Sequence, residues 1–265
     1  FLIRKKYAIS LGSLTPIFCY GIALSNFVPG RFSEPIRAYL LKRKKFIPFT
    51  FSMACVFFER LSDVLILFLF SSILFLFLKI ELFALPFILV FLILFTVIIA
   101  TQNEKIYFSL VKILEHVLNI LKGFNIRIKI FDEILTGIKN LHKEIKISKN
   151  FFVPLVISML IWIIDALTFY LPLISLGEKV DFFFVLGVYS FSLLVGLITL
   201  LPGGFGSVEA SMVFLLTYAG INYQKAMISI ILGRFFGLGL LMIYGTIMPP
   251  FITEEKIKKV KSNKK

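Results

Sequence analysis

A chain of 265 residues that is 58% hydrophobic, with a mean hydropathy of +0.94, holds more apolar surface than a soluble globular domain can bury. Its apolar runs, such as Phe87 to Phe95, are hydrophobic on every face, which excludes the alternating ~10-residue strands of a membrane β-barrel. The balance of 29 Lys plus Arg against 15 Asp plus Glu, a formal +14, points to cytoplasmic loops and anionic lipid surfaces, and no nucleic-acid-binding motif supports another partner.

Taken in order, Arg4-Lys5-Lys6 precede an apolar stretch from Tyr7 to Val28, interrupted by Pro16 and carrying Asn26 near its end. Glu34 to Lys45 reads as a basic amphipathic helix, with Arg37, Lys42, Arg43, Lys44 and Lys45 beside an apolar edge of Ile36, Tyr39 and Leu40. Phe46 to Leu78 is apolar except for Glu59, Arg60 and Asp63 in its middle. At 1.5 Å per residue it would run ~50 Å as one helix, so it must tilt, project from a ~30 Å hydrocarbon core or break. Leu82 to Ala100 is a clean spanning helix.

Asn103 to Lys149 changes character: two apolar stripes at helical spacing, Ile106 to Leu121 and Phe131 to Ile145, predict an amphipathic hairpin on the cytoplasmic surface. Phe151 to Ser175 spans again, with Trp162 and Asp165 inside. Asp181 to Leu201 leads into Pro202-Gly203-Gly204-Phe205-Gly206-Ser207-Val208-Glu209, and Val208 to Ala219 is too short to cross. Lys225 to Ile252 is the last span and carries Arg234; residues 253–265 form a basic, solvated tail.

Cys19 and Cys55 sit inside apolar segments, and His116 and His142 are the only imidazoles. This argues against a disulfide scaffold, a His-based metal site or a Ser-His-Asp hydrolase. No cofactor, metal or catalytic group is expected, so the chain is read as a non-enzyme. It opens at Phe1 with neither a methionine nor a signal-peptide pattern, which suggests a fragment of a longer protein.

Two short motifs organise the rest. Pro29-Gly30-Arg31-Phe32-Ser33-Glu34 precedes Arg60 as Pro202-Gly203-Gly204 through Glu209 precedes Arg234, with Glu34 to Arg60 and Glu209 to Arg234 spaced by 26 and 25 positions. The positive-inside rule places residues 4–6, 37–45, the hairpin and the tail in the cytoplasm, so Tyr7 to Val28 enters and returns rather than crossing. Asp181 to Leu201 then enters from the opposite side. The expected fold is an all-α, polytopic membrane bundle with two inverted re-entrant repeats in a single domain: half one at 7–78, half two at 181–252, and spans 82–100 and 151–175 with the hairpin between them.

A charge at the bilayer centre costs about 2.5 to 3.5 kcal/mol, so the intramembrane charges need partners or water. Arg60 and Asp63 can pair at i,i+3, as a packing salt bridge or as part of a site. Arg234 has no acidic neighbour in sequence; Glu209, Glu34 and Asp165 are its candidate partners. An arginine fork held in a cavity suits a phosphate or carboxylate, and a Pro-Gly turn before a helix N-terminus suits an anion. An ordinary interhelical loop remains the plain reading of one such motif taken alone.

Pro29 through Leu41, Glu59-Arg60-Leu61-Ser62-Asp63, Pro202 through Ala210 and Arg234 together resemble the motif series of the flippase-like membrane family, the transmembrane region of lysylphosphatidylglycerol synthases. An aminoacyltransferase domain like that of the synthases is not expected, since the sequence closes on a lysine tail, and family members usually carry further helices before the first motif. The resemblance implies a module that binds and translocates an anionic phospholipid or polyprenyl-linked lipid between leaflets. It nominates Arg31, Glu34, Arg37, Glu59, Arg60, Asp63, Asp165, Gly203, Gly204, Gly206, Glu209 and Arg234 as lipid-binding positions, with membrane lipids as partners and a homo-oligomer allowed. A carrier for a small organic anion or ion, and a non-transporting scaffold recruiting a partner through the hairpin, are the alternatives.

Overall fold

A computed structural model gives the fold and describes residues 3–4, 7–25, 34–100, 109, 112, 152–199, 201–252 and 254. The first Pro-Gly turn with Arg31, almost all of the expected hairpin and most of the tail lie outside the described residues. The described residues form helices and no strand. They are α1 (Leu11–Ser25), α2 (Glu34–Lys45), α3 (Phe49–Phe77), α4 (Glu81–Ala100), α5 (Phe152–Ser175), α6 (Phe182–Thr199), α7 (Ser207–Tyr218), α8 (Tyr223–Arg234) and α9 (Leu240–Ile247). A π-helical turn, Phe235–Gly239, joins α8 to α9 into one 25-residue helix, Tyr223–Ile247.

Local chemistry sets the ends of these helices. Pro48, with φ fixed near −53°, starts α3 after a left-handed residue at Phe46. Helices α3, α5 and α7 each close on a left-handed residue, Lys79, Gly177 and Gly220. The next N–H bonds back into the last turn: Ile80 to Phe75 at 2.9 Å, Glu178 to Leu173 at 3.1 Å and Ile221 to Leu216 at 3.1 Å. Asp181 caps α6 by accepting from the Phe183 N–H at 2.7 Å, and Asn222 caps α8 by accepting from the Gln224 N–H at 2.9 Å. Lys225 and Glu178, 2.9 Å apart, tie these caps together.

Helix α3 is the centre of the bundle and packs on α2, α4, α5 and α6. Its inner face, with Leu65, Leu67, Phe70 and Leu74, joins Phe169, Val185, Val188 and Met212 in the main core. Gly187 lets α6 approach α3 closely, since a β-carbon there would lie 2.7 Å from the Leu74 backbone nitrogen. A smaller core of Tyr7, Leu14, Ile17, Leu41 and Phe51 joins α1 and α2 to the start of α3. Helix α9 closes onto α1 at Gly245, where a β-carbon would lie 2.6 Å from the Cys19 carbonyl. Outward, Leu89, Ile93, Leu160, Ile164, Phe236 and Ile243 stand exposed, a surface suited to lipid.

Among the described residues, four helices are long and apolar enough to cross a membrane: Glu59–Phe77, Val153–Ser175, Phe182–Thr199 and Tyr223–Ile247. The chain is a polytopic α-helical membrane protein. Three sequence expectations are sharpened. The Phe46 to Leu78 stretch does not break but runs as 29 helical residues. Among its described residues, the first apolar stretch is helical over the 15 residues Leu11–Ser25, ~22 Å, a length too short to span alone. The inner face of α2 is Arg37, Ala38, Leu41 and Lys45, while Tyr39 is exposed, because Arg37 is drawn inward to a carboxylate on α3. The inverted relation of the two halves involves the first Pro-Gly turn and therefore lies outside the described residues.

Replacement of Gly187 by Leu is expected to cost about 1–3 kcal/mol through overpacking against α3 and to lower the thermal midpoint in detergent. Gly12→Ala, where no atom lies within 4 Å of the new β-carbon, is expected to be neutral or to stabilise by up to about 1 kcal/mol.

Candidate functional site

Helices α6 and α7 form a hairpin whose return leg is short: 12 residues of α7 cover ~18 Å, well under a ~30 Å core. The turn between them needs residues that accept left-handed backbone, and Gly203, Gly204 and Gly206 have φ of 59°, 68° and 85°. A β-carbon at Gly204 would also lie 2.8 Å from a Val208 methyl, so the hairpin closes only over glycine.

This turn sets the position of Glu209. The carboxylate bends back so that Oε2 accepts the Gly206 N–H at 2.6 Å, the glutamate half of a capping box whose other half a glycine cannot supply. Its Oε1 lies 2.6 Å from Arg234 Nε. The Nε–H is not aligned for a hydrogen bond, so the contact is an ion pair by proximity, and Arg234 Nη2 is buried with no acceptor among the described residues. Arg234 lies 11 residues beyond Tyr223, ~16 Å along the axis and about halfway through a hydrocarbon core. Its guanidinium carbon stands 5.7 Å from the centre of the Phe205 ring. Gly233 beside it has no room for a side chain, because the Phe169 ring fills that space.

A second line of charge crosses three helices. Arg37 of α2 donates to Glu59 of α3 at 3.1 Å, with its guanidinium 5.3 Å from the Phe18 ring centre. A side chain at Gly21 would run into the Arg37 stem. Glu59 is shared with Arg60, Arg60 reaches Asp63 at 3.1 Å, and Ser158 of α5 donates to Asp63 at 2.8 Å. The sequence pairing of Arg60 with Asp63 is present, extended at both ends by partners that local spacing does not reveal.

Both sets of charges border one cavity of about 510 Å³ between α1, α3, α5, the α8–α9 helix and the tip of the hairpin. That volume falls within the range of small-ligand sites. Arg37, Glu59, Arg60, Asp63, Asp165, Gly203 and Arg234 line it. Glu209 stands behind Arg234, while Gly204 and Gly206 shape the turn without lining the cavity. Arg31 and the Glu34 side chain lie outside the described residues.

Sequence reading missed Ser158, Trp162, Thr168 and Phe169, which line the cavity together with Asp165. They recur at helical spacing on one face of α5, a signal present in the sequence but masked by the apolar residues around it. The π-helical turn directly after Arg234 was also missed; the flexible run Gly233, Gly237 and Gly239 is its trace. Trp162 Nε1 is, like Arg234 Nη2, a buried donor without an acceptor among the described residues.

A helical membrane protein with a cavity between its helices that charged side chains border is therefore the class these features define. Residues 1–245 match the family described as the lysylphosphatidylglycerol synthase transmembrane region, and the chain belongs to that family. It is similar to a UPF0104 membrane protein of Methanocaldococcus jannaschii, at 29% identity over 250 residues that cover 91% of this chain and 99% of the relative. A UPF0104 membrane protein of Methanothermobacter thermautotrophicus is 28% identical over 95 residues, 36% of this chain and 28% of the relative. The phosphatidylglycerol lysyltransferase of Bacillus subtilis is 27% identical over 124 residues, 44% of this chain but 14% of that enzyme. No solved structure matches the chain.

Removing one member of a largely buried ion pair strands the other. Arg234 and Glu209 side chains are 12% and 26% exposed, so Glu209→Gln and Arg234→Gln are each expected to destabilise the protein. In a double-mutant cycle of thermal unfolding, the pair is expected to show a coupling of about 1–3 kcal/mol.

Proposed function

We propose that this protein binds the phosphate of an anionic phospholipid or polyprenyl-linked lipid in the cavity and carries the headgroup between leaflets. The observation that carries the reading is Arg234. It borders the cavity about halfway along its span and retains a buried donor with no acceptor. A guanidinium with an unused N–H and a carboxylate that can be displaced is a phosphate receptor in waiting. The rest of the wall is mixed: Arg60 and Arg37 also line the cavity, and Phe18, Ile157, Ile161 and Leu241 offer an apolar lining for the start of an acyl or prenyl chain. Family membership and the partial likeness to a phosphatidylglycerol lysyltransferase support lipid handling. With no nucleotide-binding loop in the sequence to drive it, the transfer runs down a lipid gradient or is drawn by an ion. The positive-inside rule sets the basic hairpin and the tail in the cytoplasm.

In proteoliposomes, the protein is expected to accelerate the exchange of headgroup-labelled phosphatidylglycerol between leaflets. Arg234→Ala is expected to slow it about tenfold or more, equivalent to ~1.4 kcal/mol, and Arg234→Lys to fall between, because an ammonium keeps the charge but not the fork. Failure to accelerate any labelled phospholipid or polyprenyl phosphate would refute the proposal.

A further inference from the structure

The arginines that line the cavity each have a carboxylate at hand. Arg37 and Arg60 share Glu59, Arg60 also meets Asp63, and Arg234 meets Glu209. Asp165 is the carboxylate left over. Among the described residues no ion pair or hydrogen bond engages its carboxyl oxygens, although its backbone carbonyl accepts the Thr168 hydroxyl at 2.6 Å. The titratable and charged groups that share the cavity with it are Cys55, Glu59, Arg60 and Asp63 of α3 and Arg37 of α2. Tyr189 of α6 and Arg234 of α8 complete the set. The three guanidiniums of Arg37, Arg60 and Arg234 therefore stand against four carboxylates, Glu59, Asp63, Asp165 and Glu209. Among the described residues the carboxylates exceed the guanidiniums by one, and Asp165 is the one with no cationic partner, a costly position in this setting.

An arriving phosphate adds a further negative charge. The two become compatible once a positive charge settles on Asp165. A metal cation would need several oxygen ligands. Asp63, the nearest candidate to supply one, is already held by Arg60 and Ser158, and no group of three or more metal-binding side chains is arranged for an ion among the described residues. A proton needs only the single carboxylate. We infer that Asp165 is a proton-binding site of the cavity and that its proton travels with the phosphate-bearing ligand. The step is the addition of one proton from water to one Asp165 carboxyl oxygen and its release on the other side of the membrane. By reciprocity, phosphate binding favours protonation and protonation favours phosphate binding. The coupling to lipid rests on the proposed function, whereas the proton site does not.

The chain carries its own reporter. Trp162 is the single tryptophan, lies three residues before Asp165 on the same helix and lines the same cavity. In the purified full chain in detergent, without added lipid, the Trp162 emission is expected to titrate with pH in one step. That step is lost in Asp165→Asn and kept, at a displaced midpoint, in Asp165→Glu. The inference is overturned by a wild-type emission that does not titrate, by an unchanged step in folded Asp165→Asn, or by an emission change when Na⁺ replaces K⁺ at constant pH. In proteoliposomes, an imposed pH gradient is expected to speed movement of labelled phosphatidylglycerol by the wild type and not by Asp165→Asn; a wild-type rate indifferent to the gradient overturns the coupling. If no lipid moves at all while the indole still titrates at Asp165, the proton site stands and the lipid reading falls.

Discussion

The contact between Arg234 and Glu209 is the constraint to which much of the second half of the chain answers. A guanidinium halfway along a spanning helix costs about 2.5 to 3.5 kcal/mol unless a counter-charge reaches it. No acidic residue lies near Arg234 in sequence, so the counter-charge must arrive on another helix. Glu209 does so because α7 begins at the same depth, and α7 can begin there only because Pro202 to Gly206 turns the chain early on three left-handed glycines. The short hairpin, the glycine run and the helix cap on Gly206 are consequences of placing one carboxylate at one depth.

The first half solves the same problem differently. Arg60 is paired within its own helix, to Glu59 and Asp63, and the leftover valence of that cluster is met by Arg37 from α2 and Ser158 from α5. The result binds three helices through polar contacts where hydrophobic burial alone, with lipid on the outside, gives little preference for one packing over another. It also gathers Glu59, Arg60, Asp63, Asp165 and Arg234 around one cavity and leaves the outer faces of α4, α5 and α9 apolar. A cavity of this kind, bordered by charge and backed by aromatic rings, is where a polar headgroup could leave water while its chain stays among apolar side chains.

Much of this was legible in the chain itself. Membrane residence, the helical class and the helices near residues 82–100, 151–175 and 225–252 follow from uninterrupted apolar runs, because such a run has few other stable solutions. Arg234, Asp165, Glu59, Arg60 and Asp63 stood out because charges inside those runs are expensive, and the structure gathers them on one cavity. The inward turn of Arg37 was hidden, since α2 reads as a basic surface helix and only the position of Glu59 on another helix draws one of its basic residues inside. The aromatic wall of Trp162, Phe169 and Tyr189 was hidden for a related reason: in an all-apolar segment, periodicity does not separate the residues that face a cavity from those that face lipid. The π-helical turn after Arg234 leaves only the run Gly233, Gly237 and Gly239 as its trace, and glycines in an apolar helix do not by themselves announce a change of helical pitch.

The most direct test is an experimental density map of the full chain in nanodiscs of anionic phospholipid. The expected map shows a headgroup in the cavity with its phosphate within hydrogen-bonding distance of Arg234, and chain density leaving between the helices. A cavity that holds no lipid in such nanodiscs, or a Pro202 to Glu209 turn lying in an extramembrane loop away from Arg234, would contradict the site.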